Sequence, residues 1–411
     1  MTRGAPPAPP PWRGNRAVGR VLAALEAAGG EARYVGGCVR DWVLGRPTGD
    51  IDIATTLLPE RVIEALQQAG IKAVPTGVEH GTVTAALEGQ GVEVTTLRRD
   101  VETDGRRAVV GFTTDWAEDA ARRDFTVNAL YADHAGQLYD PTGRGLDDAR
   151  ARRLRFVGDA ATRIREDYLR ILRFFRFHAQ IGLDLDPPGL EACAALAEGL
   201  ERLSAERVWH ETKRLLAGPW AAETLHGMEK SGILARLLPE CRDLSVSDAL
   251  PGACDAELRL AALLPEADAD TAGDVTRRWK LSRREAGRVV NAVAPLPEDA
   301  GTDAAAIRRV VYRSGGEAAA DRLALAHARG GAVTPEAGET ARNWRPPKFP
   351  LSGRHATARR IKAGPPVGEL LKAVEDWWIA GDFTADREAC LAELERRISE
   401  TESPGSSPPR S

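Results

Sequence analysis

The sequence predicts an α+β fold in which a mixed sheet with helices forms an N-terminal head and an all-helical region follows it. Three observations support this prediction. Helical and strand-like segments are interleaved up to about residue 148, with several strands in succession. Strand signals then fade, and from 160 to about 399 nearly every segment has helical periodicity. The 411 residues, 43% of them hydrophobic, suffice for two or more domains.

Local signals predict the elements of the head. Helices are predicted at 17–28, 39–44 and 59–69, and strands at 32–35, 51–54, 72–74, 81–87 and 92–97. The first helix ends at Gly29-Gly30, and the third begins with Pro59, as helices commonly do. The polar run 98–110, RRDVETDGRRAVV, is expected to be a mobile loop between strands.

Composition and charge exclude several classes of protein. The net charge is −4, so any nucleic-acid surface must be a local patch. No segment reaches the roughly 20 apolar residues of a membrane helix, and the proline-rich N-terminus lacks the apolar core of a signal peptide. The five cysteines are scattered without a CxxC pair, so neither a zinc site nor a disulfide framework is indicated. This pattern fits a reducing cytoplasm.

Two short features of the head indicate phosphate and metal chemistry. Asp50 and Asp52 are two residues apart in an apolar strand, so their carboxylates share one face. Hard cations such as Mg²⁺ prefer paired carboxylate oxygens. Gly36-Gly37 lies where a strand turns into a helix, and backbone N–H groups at such a turn bind phosphate. Together the two features favour a metal–phosphate site.

Each feature alone has a plainer interpretation. The glycine pair by itself is more often a tight turn, and the aspartates by themselves fit an exposed strand face equally well. Glu93 is a candidate for a third carboxylate beside the metals, although we favour an exposed strand residue. Cys38 is expected to fill the glycine turn, and His80 is expected to make a structural hydrogen bond.

The segment 163–177, RIREDYLRILRFFRF, is predicted to be one amphipathic helix. Asp167 and Arg170 are neighbours on its polar face, and a solvated salt bridge is the simpler interpretation. The alternative is that both side chains contact the Watson–Crick edge of a base, for which arginine supplies donors and aspartate supplies acceptors. Arginines are dense from 150 to 176, which suits a triphosphate or an RNA backbone.

The rest of the chain carries fewer functional signals. Trp377-Trp378 is expected to belong to a core stripe, and stacking on RNA is the alternative. Residues 1–16 are predicted to be a flexible N-terminus and 401–411 a disordered tail.

Several motifs resemble those of a known superfamily. GGCVRD followed by GDIDIATT resembles the signature of the polymerase-β-type nucleotidyltransferases. ARRDFTVNAL and REDYLRILRFFRF narrow the resemblance to the bacterial class II CCA-adding tRNA nucleotidyltransferases and the related bacterial poly(A) polymerases. The resemblance implies a catalytic head over 17–148, an all-α neck with a nucleotide-selecting motif over 149–215, and an all-α body and tail that bind tRNA over 216–400.

The resemblance also implies roles for single residues. Asp50 and Asp52 would be catalytic and would bind two Mg²⁺ ions. The triphosphate would be bound by Gly36, Gly37 and Arg40, with Asp41 bracing the turn. Further nucleotide contacts would come from Arg123, Asp124, Asn128, Arg163, Asp167, Arg170 and Arg173. The base-selecting EDxxR motif of the family matches Glu166, Asp167 and Arg170. The flexible loop required for the switch from C to A would contain Arg98, Asp100, Asp104 and Arg106.

The implied activity is template-independent addition of CCA to tRNA 3′ ends from CTP and ATP, with release of pyrophosphate. The expected partners are these nucleotides and tRNA, through its 3′ end and acceptor stem, with no membrane and no obligate protein partner. Two alternatives stay open, a poly(A) polymerase of the same family and a catalytically silent RNA-binding homologue. The loop favours full CCA addition, because CC-only relatives tend to lack it, and the intact Asp50/Asp52 pair argues against a silent homologue.

Overall fold

The computed structural model describes residues 9–103, 108–358 and 365–402. The chain divides into two compact units. The first contains the residues up to 244 together with 251–259 and 278–281, and the second contains the other residues from 245 onward. The boundaries that we predicted at 148/149 and 215/216 therefore both lie inside the first unit.

The head is built on a mixed seven-stranded sheet, which confirms the predicted fold class. The strands of the described residues are β1 (Ala32–Val35), β2 (Asp52–Thr55), β3 (Lys72–Gly77), β4 (Thr82–Leu87), β5 (Gln90–Thr96), β6 (Arg98–Thr103), β7 (Ala108–Phe112), β8 (Tyr131–Ala132), β9 (Leu138–Tyr139), β10 (Arg153–Leu154) and β11 (Asp184–Leu185). Seven of them form this sheet in the order β3-β4-β5-β2-β1-β8-β9, while β6-β7 and β10-β11 are separate pairs. In this sheet, as far as its residues are described, β2 and β5 pair in parallel and the other neighbours are antiparallel. The register of β2 and β5 aligns Asp52 with Glu93.

The predicted loop 98–110 is in part regular structure. β6 and β7 form an antiparallel pair of their own, with Arg98 aligned to Phe112. The β-branched residues Val101, Val109 and Val110 favour strands, and this preference outweighs the polar composition from which we predicted a loop. Residues 104–107 lie outside the described part of the chain.

Helices make up most of the remaining structure. In the first unit they are α1 (Arg16–Ala27), α2 (Gly37–Val43), α3 (Pro59–Gln68), α4 (Trp116–Ala121), α5 (Gly145–Arg150), α6 (Ala160–Glu166), α7 (Leu169–Ile181), α8 (Pro187–Ala195), α9 (Ala205–Leu216), α10 (Ala221–Lys230) and α11 (Ile233–Leu237). Next along the chain come α12 (Ser245–Asp248), α13 (Ala256–Ala262) and α14 (Ala269–Arg278). They continue with α15 (Arg283–Val293), α16 (Ala304–Ser314), α17 (Gly316–Ala328), α18 (Pro335–Asn343), α19 (Gly353–Thr357), α20 (Pro365–Ala380) and α21 (Arg387–Glu402).

The segment 163–177 is two helices rather than the single helix that we predicted. Asp167 has extended backbone angles (φ −154°, ψ 105°), which end α6. Its side chain accepts a hydrogen bond from the N–H of Leu169 at 3.1 Å and so satisfies a free donor at the start of α7. The tendency of aspartate to bond nearby backbone groups explains why the break falls at this residue.

The N-terminal residues from Pro9 onward are part of the fold instead of a flexible segment. A short 3₁₀ turn, Pro11–Gly14, places Trp12 in the core with no exposed surface. The indole stacks on Tyr34 with ring centroids 4.3 Å apart. Because Tyr34 precedes the glycine turn by two residues, Trp12 supports the strand that leads into that turn.

Aromatic rings fix α7 against the head. Phe125 lies 5.0 Å from Phe156 and 5.3 Å from Phe177, and Phe156 stacks on Phe174 at 5.0 Å between centroids. Phe174 and Phe177 belong to α7, so burial of this cluster determines where the polar side chains of α7 point.

The second unit has its own cores. One contains Val374, Trp378 and Leu394, which confirms the core interpretation for Trp378. The neighbouring Trp377 is 37% exposed and does not belong to the core. None of the helices in the described ranges has the length and apolar character needed to cross a membrane.

Candidate active site

A glycine turn opens the site. β1 ends at Val35, the next residue Gly36 has a φ of 71° and a ψ of −125° that side chains do not tolerate, and α2 begins at Gly37. A Cβ atom on Gly36 would lie 3.7 Å from the guanidinium of Arg123, and one on Gly37 would lie 3.7 Å from that of Arg40. The bare backbone therefore borders two cationic groups, which is suitable for a phosphate chain.

The Arg40 guanidinium is held on two sides. Its Nη1 donates to Asn128 Oδ1 at 2.8 Å, and its Nε and Nη2 donate to the two oxygens of Asp41 at 3.0 Å each. Asn128 in turn donates to Asp124 Oδ1 at 3.0 Å. This chain of hydrogen bonds links the ARRDFTVNAL motif to the glycine turn and orients Arg40 before any ligand binds.

Arg123 is oriented by Asp119, a residue that the sequence analysis missed. Asp119 lies on α4, is 1% exposed, and accepts from Arg122 at 2.5 Å, from Arg123 at 2.9 Å and from the Tyr131 hydroxyl at 2.7 Å. Burial alone would raise the pKa of this carboxyl, but Arg123, Arg122 and Tyr131 together lower it well below its usual range. The i, i+3 and i, i+4 spacing to the two arginines was the available sequence signal.

Asp124 connects the head to α7. Its Oδ2 accepts from Arg173 Nε at 3.0 Å and Nη2 at 2.5 Å, while Oδ1 accepts from its neighbour Phe125 N–H at 2.8 Å. Burial would raise the pKa of Asp124, yet Arg173 and Asn128 hold it below its ordinary value. Arg173 also lies 3.6 Å from Glu211 of α9. The Asp124 carboxylate is thus already engaged within the protein.

The acidic side of the site is formed by Asp52, the first residue of β2, by Glu93 of β5 and by Asp50, which precedes β2 and, contrary to our prediction, does not belong to the strand. Asp50 is exposed, and Asp52 is half-buried opposite Glu93 in the parallel register. Burial raises the pKa of Asp52 to about 6, and the negative charges of Glu93 and Asp50 contribute. Glu93 is exposed, as we favoured, and it is also close enough to act on Asp52.

The carboxylates of Asp50, Asp52 and Glu93 fit a hard divalent cation, because such an ion would offset their mutual repulsion. In the described ranges, no three His, Cys, Asp or Glu side chains are gathered into a complete metal site. Partial protein ligation of this kind is usual for Mg²⁺, which keeps several water or substrate oxygens among its ligands.

One cavity of about 470 Å³ joins the acidic and basic sides. Its walls include these predicted residues: Gly36, Gly37, Arg40, Asp50, Asp52, Arg123, Asp124, Asn128 and Arg173. Arg176 of the wall was expected only as a member of the arginine-dense segment, and the sequence analysis did not single out Phe177, Gln180 and Arg214. Their proximity follows from the packing of α7 and α9 and has no local signal.

The residues predicted to select the base, Glu166, Asp167 and Arg170, are not among those that line this cavity, and they have separate partners. Arg170 donates to Glu166 at 2.5 Å and to the carbonyl of Arg163 at 2.6 Å. Asp167 pairs with Arg207 of α9 at 2.7 Å. The solvated Asp167–Arg170 salt bridge that we considered is therefore replaced by these two pairs, each of which fixes one member.

Arg163 connects the same motif to the head. It pairs with Glu166, and its Nη2 donates to the backbone carbonyls of Arg122 and Arg123, the latter at 3.1 Å. Arg163 is buried. The buried guanidinium therefore ties the segment predicted to select the base to the segment that carries Arg123.

Among the residues predicted to act in the flexible loop, the structure describes the contacts of Arg98. The Arg98 backbone N–H donates to Asp119 Oδ1 at 3.1 Å, and its side chain donates to the carbonyl of His80 at 2.6 Å. Asp100 lies in β6, but its side chain is outside the described part of the structure, as are Asp104 and Arg106. The role predicted for this loop stays a prediction.

Fold and site together define the class. A mixed sheet presents paired carboxylates and a glycine turn to a cavity lined by arginines. These are the features of a nucleotidyltransferase head.

Comparison with known proteins makes the assignment specific. Residues 32–155 match the poly A polymerase head domain, and 182–244 match the probable RNA and SrmB-binding site of polymerase A. The chain is 32% identical over 401 residues to the mitochondrial CCA tRNA nucleotidyltransferase 1 of Danio rerio, covering 89% of this chain and 87% of the relative. It is 34% identical over 388 residues to the CCA-adding enzyme of Limosilactobacillus fermentum, with 90% and 94% covered.

Solved structures agree with the sequence relatives. The CCA-adding enzyme of Bacillus stearothermophilus in complex with CTP has a TM-score of 0.82 and 31% identity, and the alignment covers 96% of this chain and 99% of that one. The chain belongs to the family of CCA-adding tRNA nucleotidyltransferases, which confirms the resemblance found in its sequence motifs.

Proposed function

We propose that this protein adds CCA to the 3′ end of tRNA, using CTP twice and then ATP. The observation that carries the proposal is the cavity that brings Asp50 and Asp52 opposite Arg40, Arg123 and Arg173. A triphosphate needs the arginines, and the reacting α-phosphate needs the acidic side. The named relatives, which span nearly the full chain, are themselves CCA-adding enzymes.

In the proposed reaction, the 3′-hydroxyl of tRNA attacks the α-phosphate of the bound nucleotide. A phosphodiester bond forms, the bond to the β-phosphate breaks, and pyrophosphate leaves. Arg40 and Arg123 bind the triphosphate and stabilise the charge that develops on the leaving group. Both guanidinium groups are held in place by protein carboxylates and amides, so little reorganisation is needed during the reaction.

Asp50 and Asp52 are the residues that would hold two Mg²⁺ ions. When bound, such ions would lower the pKa of the attacking hydroxyl and would neutralise negative charge on the triphosphate. Glu93 contributes negative charge beside Asp52 and is a candidate for an additional ligand. No protein nucleophile is required, because positioning and electrostatics suffice.

Base selection is assigned to Asp167 and Arg170. Arg170 presents donors and Asp167 presents acceptors, and each is fixed by a partner on the same or a neighbouring helix. The two side chains would replace a nucleic-acid template by hydrogen bonding to the base of CTP or ATP. Glu166 positions Arg170 in this scheme.

We expect a cytoplasmic protein. All five cysteines lie in the described part of the chain, and none forms a disulfide, which suits a reducing compartment.

The test is incorporation of labelled nucleotides into tRNA that ends before CCA, with CTP and ATP supplied separately and together. The proposal predicts two additions with CTP alone and a third with both. Long A tails on any RNA would instead identify a poly(A) polymerase, and absence of incorporation would indicate an RNA-binding homologue.

A further inference from the structure

An exposed tryptophan lies at the carboxyl end of α7. Trp220 is 45% exposed, and its indole covers Gly182, where a Cβ atom would come within 2.6 Å of the ring. Gly182 ends α7 with a φ of 71°. The backbone N–H of Trp220 donates to the carbonyl of Ala179 at 2.9 Å. The ring therefore has a fixed position although nearly half of the residue faces solvent.

Two arginines surround this helix end. Arg46 donates to the carbonyl of Gln180 at 3.2 Å, and Arg152 donates to that of Gly182 at 3.3 Å. Cations are favourable at a helix C-terminus. Arg152 has a φ of 53°, a region that residues with side chains rarely adopt. The fold thus keeps two positive charges beside Trp220 even at the expense of backbone strain.

The basic surface continues into the catalytic cavity. Gln180 and the exposed Arg214 both line that cavity, and the Gln180 side chain donates to the Arg214 carbonyl at 3.5 Å. Gln180 precedes Gly182 by two residues in the last turn of α7. A chain that leaves the cavity past Gln180 would meet Trp220 next.

We propose that Trp220, Arg46, Arg152 and Arg214 form a stacking surface for an unpaired nucleotide of the RNA acceptor strand, directly behind its reacting 3′ end. The inference rests on the function proposed above. An exposed, immobile indole binds a base by stacking without regard to its identity, and the arginines bind the flanking phosphates. An acceptor whose end changes from one addition to the next requires such sequence tolerance.

The other exposed tryptophan of the described residues supplies a matched control. Trp377 is 37% exposed in the second unit, but it follows two acidic residues, Glu375 and Asp376. Those carboxylates would repel a phosphate backbone. Beside Trp377, Arg313 is paired with Asp376 at 3.4 Å. The arginines around Trp220 instead donate to carbonyl groups, which favours RNA as the partner of Trp220.

The experiment measures equilibrium binding of tRNA that ends before CCA to the full-length wild type and to Trp220→Ala, Trp220→Leu, Trp220→Phe and Trp377→Ala. We expect Trp220→Ala and Trp220→Leu to weaken tRNA binding about tenfold or more. Leucine still covers Gly182, so the loss in that variant reports the ring and not the fold. Trp220→Phe keeps a stacking ring and should stay within about threefold of the wild type, and Trp377→Ala should bind as the wild type does.

Measuring the affinity for CTP distinguishes this surface from the nucleotide site. All four variants should bind CTP as tightly as the wild type does. Unchanged tRNA binding by both Trp220→Ala and Trp220→Leu would overturn the stacking surface, as would an equal loss in Trp377→Ala. Failure of the proposed function has a different signature, namely that the wild type itself adds no CTP to the tRNA.

Discussion

Asp52, the proposed metal ligand, lowers the stability of the folded protein when its carboxyl is ionised. Its pKa is raised to about 6 by burial first and then by Glu93 and Asp50, so the ionised carboxylate is unfavourable in the protein alone. Asp50 keeps an exposed side chain and escapes most of the burial. A strand that needed only stability would not place three carboxylates together.

Replacement of Asp52 by asparagine should separate activity from stability. We expect CTP incorporation to fall by about a thousandfold or more, since several kcal/mol of charge stabilisation would be lost. The amide keeps the shape and removes an unfavourable charge, so the melting temperature at neutral pH should stay equal or rise. Single-turnover rates and thermal unfolding measure the two effects. A variant that incorporates CTP normally would contradict the assignment.

Magnesium should stabilise the wild type through the same residue. Because a ligand that binds only the folded state raises the melting temperature, titration with Mg²⁺ should shift unfolding upward in the wild type and much less in Asp52→Asn. Asp147→Asn is the control, since Asp147 has an 83% exposed side chain and pairs only with exposed Arg150. Equal shifts in all three proteins would place the cation elsewhere.

Among the elements, α4 orients Arg123 on the basic side of the cavity. It is only six residues long, yet its Asp119 bonds two arginines and a tyrosine and also receives the backbone N–H of Arg98 from β6. Removing a buried carboxylate from such a group leaves its arginines uncompensated. The short helix is thus stabilised by the same charges that it positions.

Asp119→Asn should therefore lower the free energy of unfolding by about 3–5 kcal/mol and weaken CTP binding through misplacement of Arg123. The pKa of Asp119 is lowered in the folded state, so its stabilisation is present above the ordinary value of 3.8 and is lost as the pH falls below it. Denaturant unfolding at several pH values measures this. The difference between variant and wild type should shrink below about pH 4, and a difference independent of pH would refute the charge-based explanation.

The elements also show which parts of the site are visible in a sequence. The glycine turn, the aspartate pair and the EDxxR segment are each contained in a few consecutive residues, so their chemistry and spacing could be predicted. Arg207, Glu211 and Arg214 come from α9, and only the packing of α9 on α7 brings them to the site. The break at Asp167 was missed because an amphipathic pattern continues through it, whereas the decisive interaction is a hydrogen bond from the backbone N–H of Leu169 to the Asp167 side chain.

At the scale of the whole molecule, the charge is distributed unevenly. The net charge is −4, but the cavity and the end of α7 concentrate arginines from α2, α7, α9 and the turn after α2. An acidic chain with a basic groove binds nucleic acid locally and avoids it elsewhere.

Binding of tRNA should accordingly depend strongly on salt. Release of counterions from a few contacted phosphates predicts an affinity loss of about tenfold or more between roughly 50 and 200 mM KCl. The Trp220→Leu variant should keep the same slope, because stacking does not release counterions, while its affinity is lower at every concentration. Filter binding across the series measures both quantities, and salt-independent binding would contradict a phosphate-based surface.

Protein side chains are proposed to replace the template, and sequencing of extended tRNA ends tests that replacement. Wild type and Arg170→Ala are each given tRNA that ends before CCA and all four nucleoside triphosphates. We expect CCA and then a stop for the wild type, and U or G at the added positions for the variant, because the donors that select the base are lost. If the variant still adds only CCA, however slowly, Arg170 does not select the base.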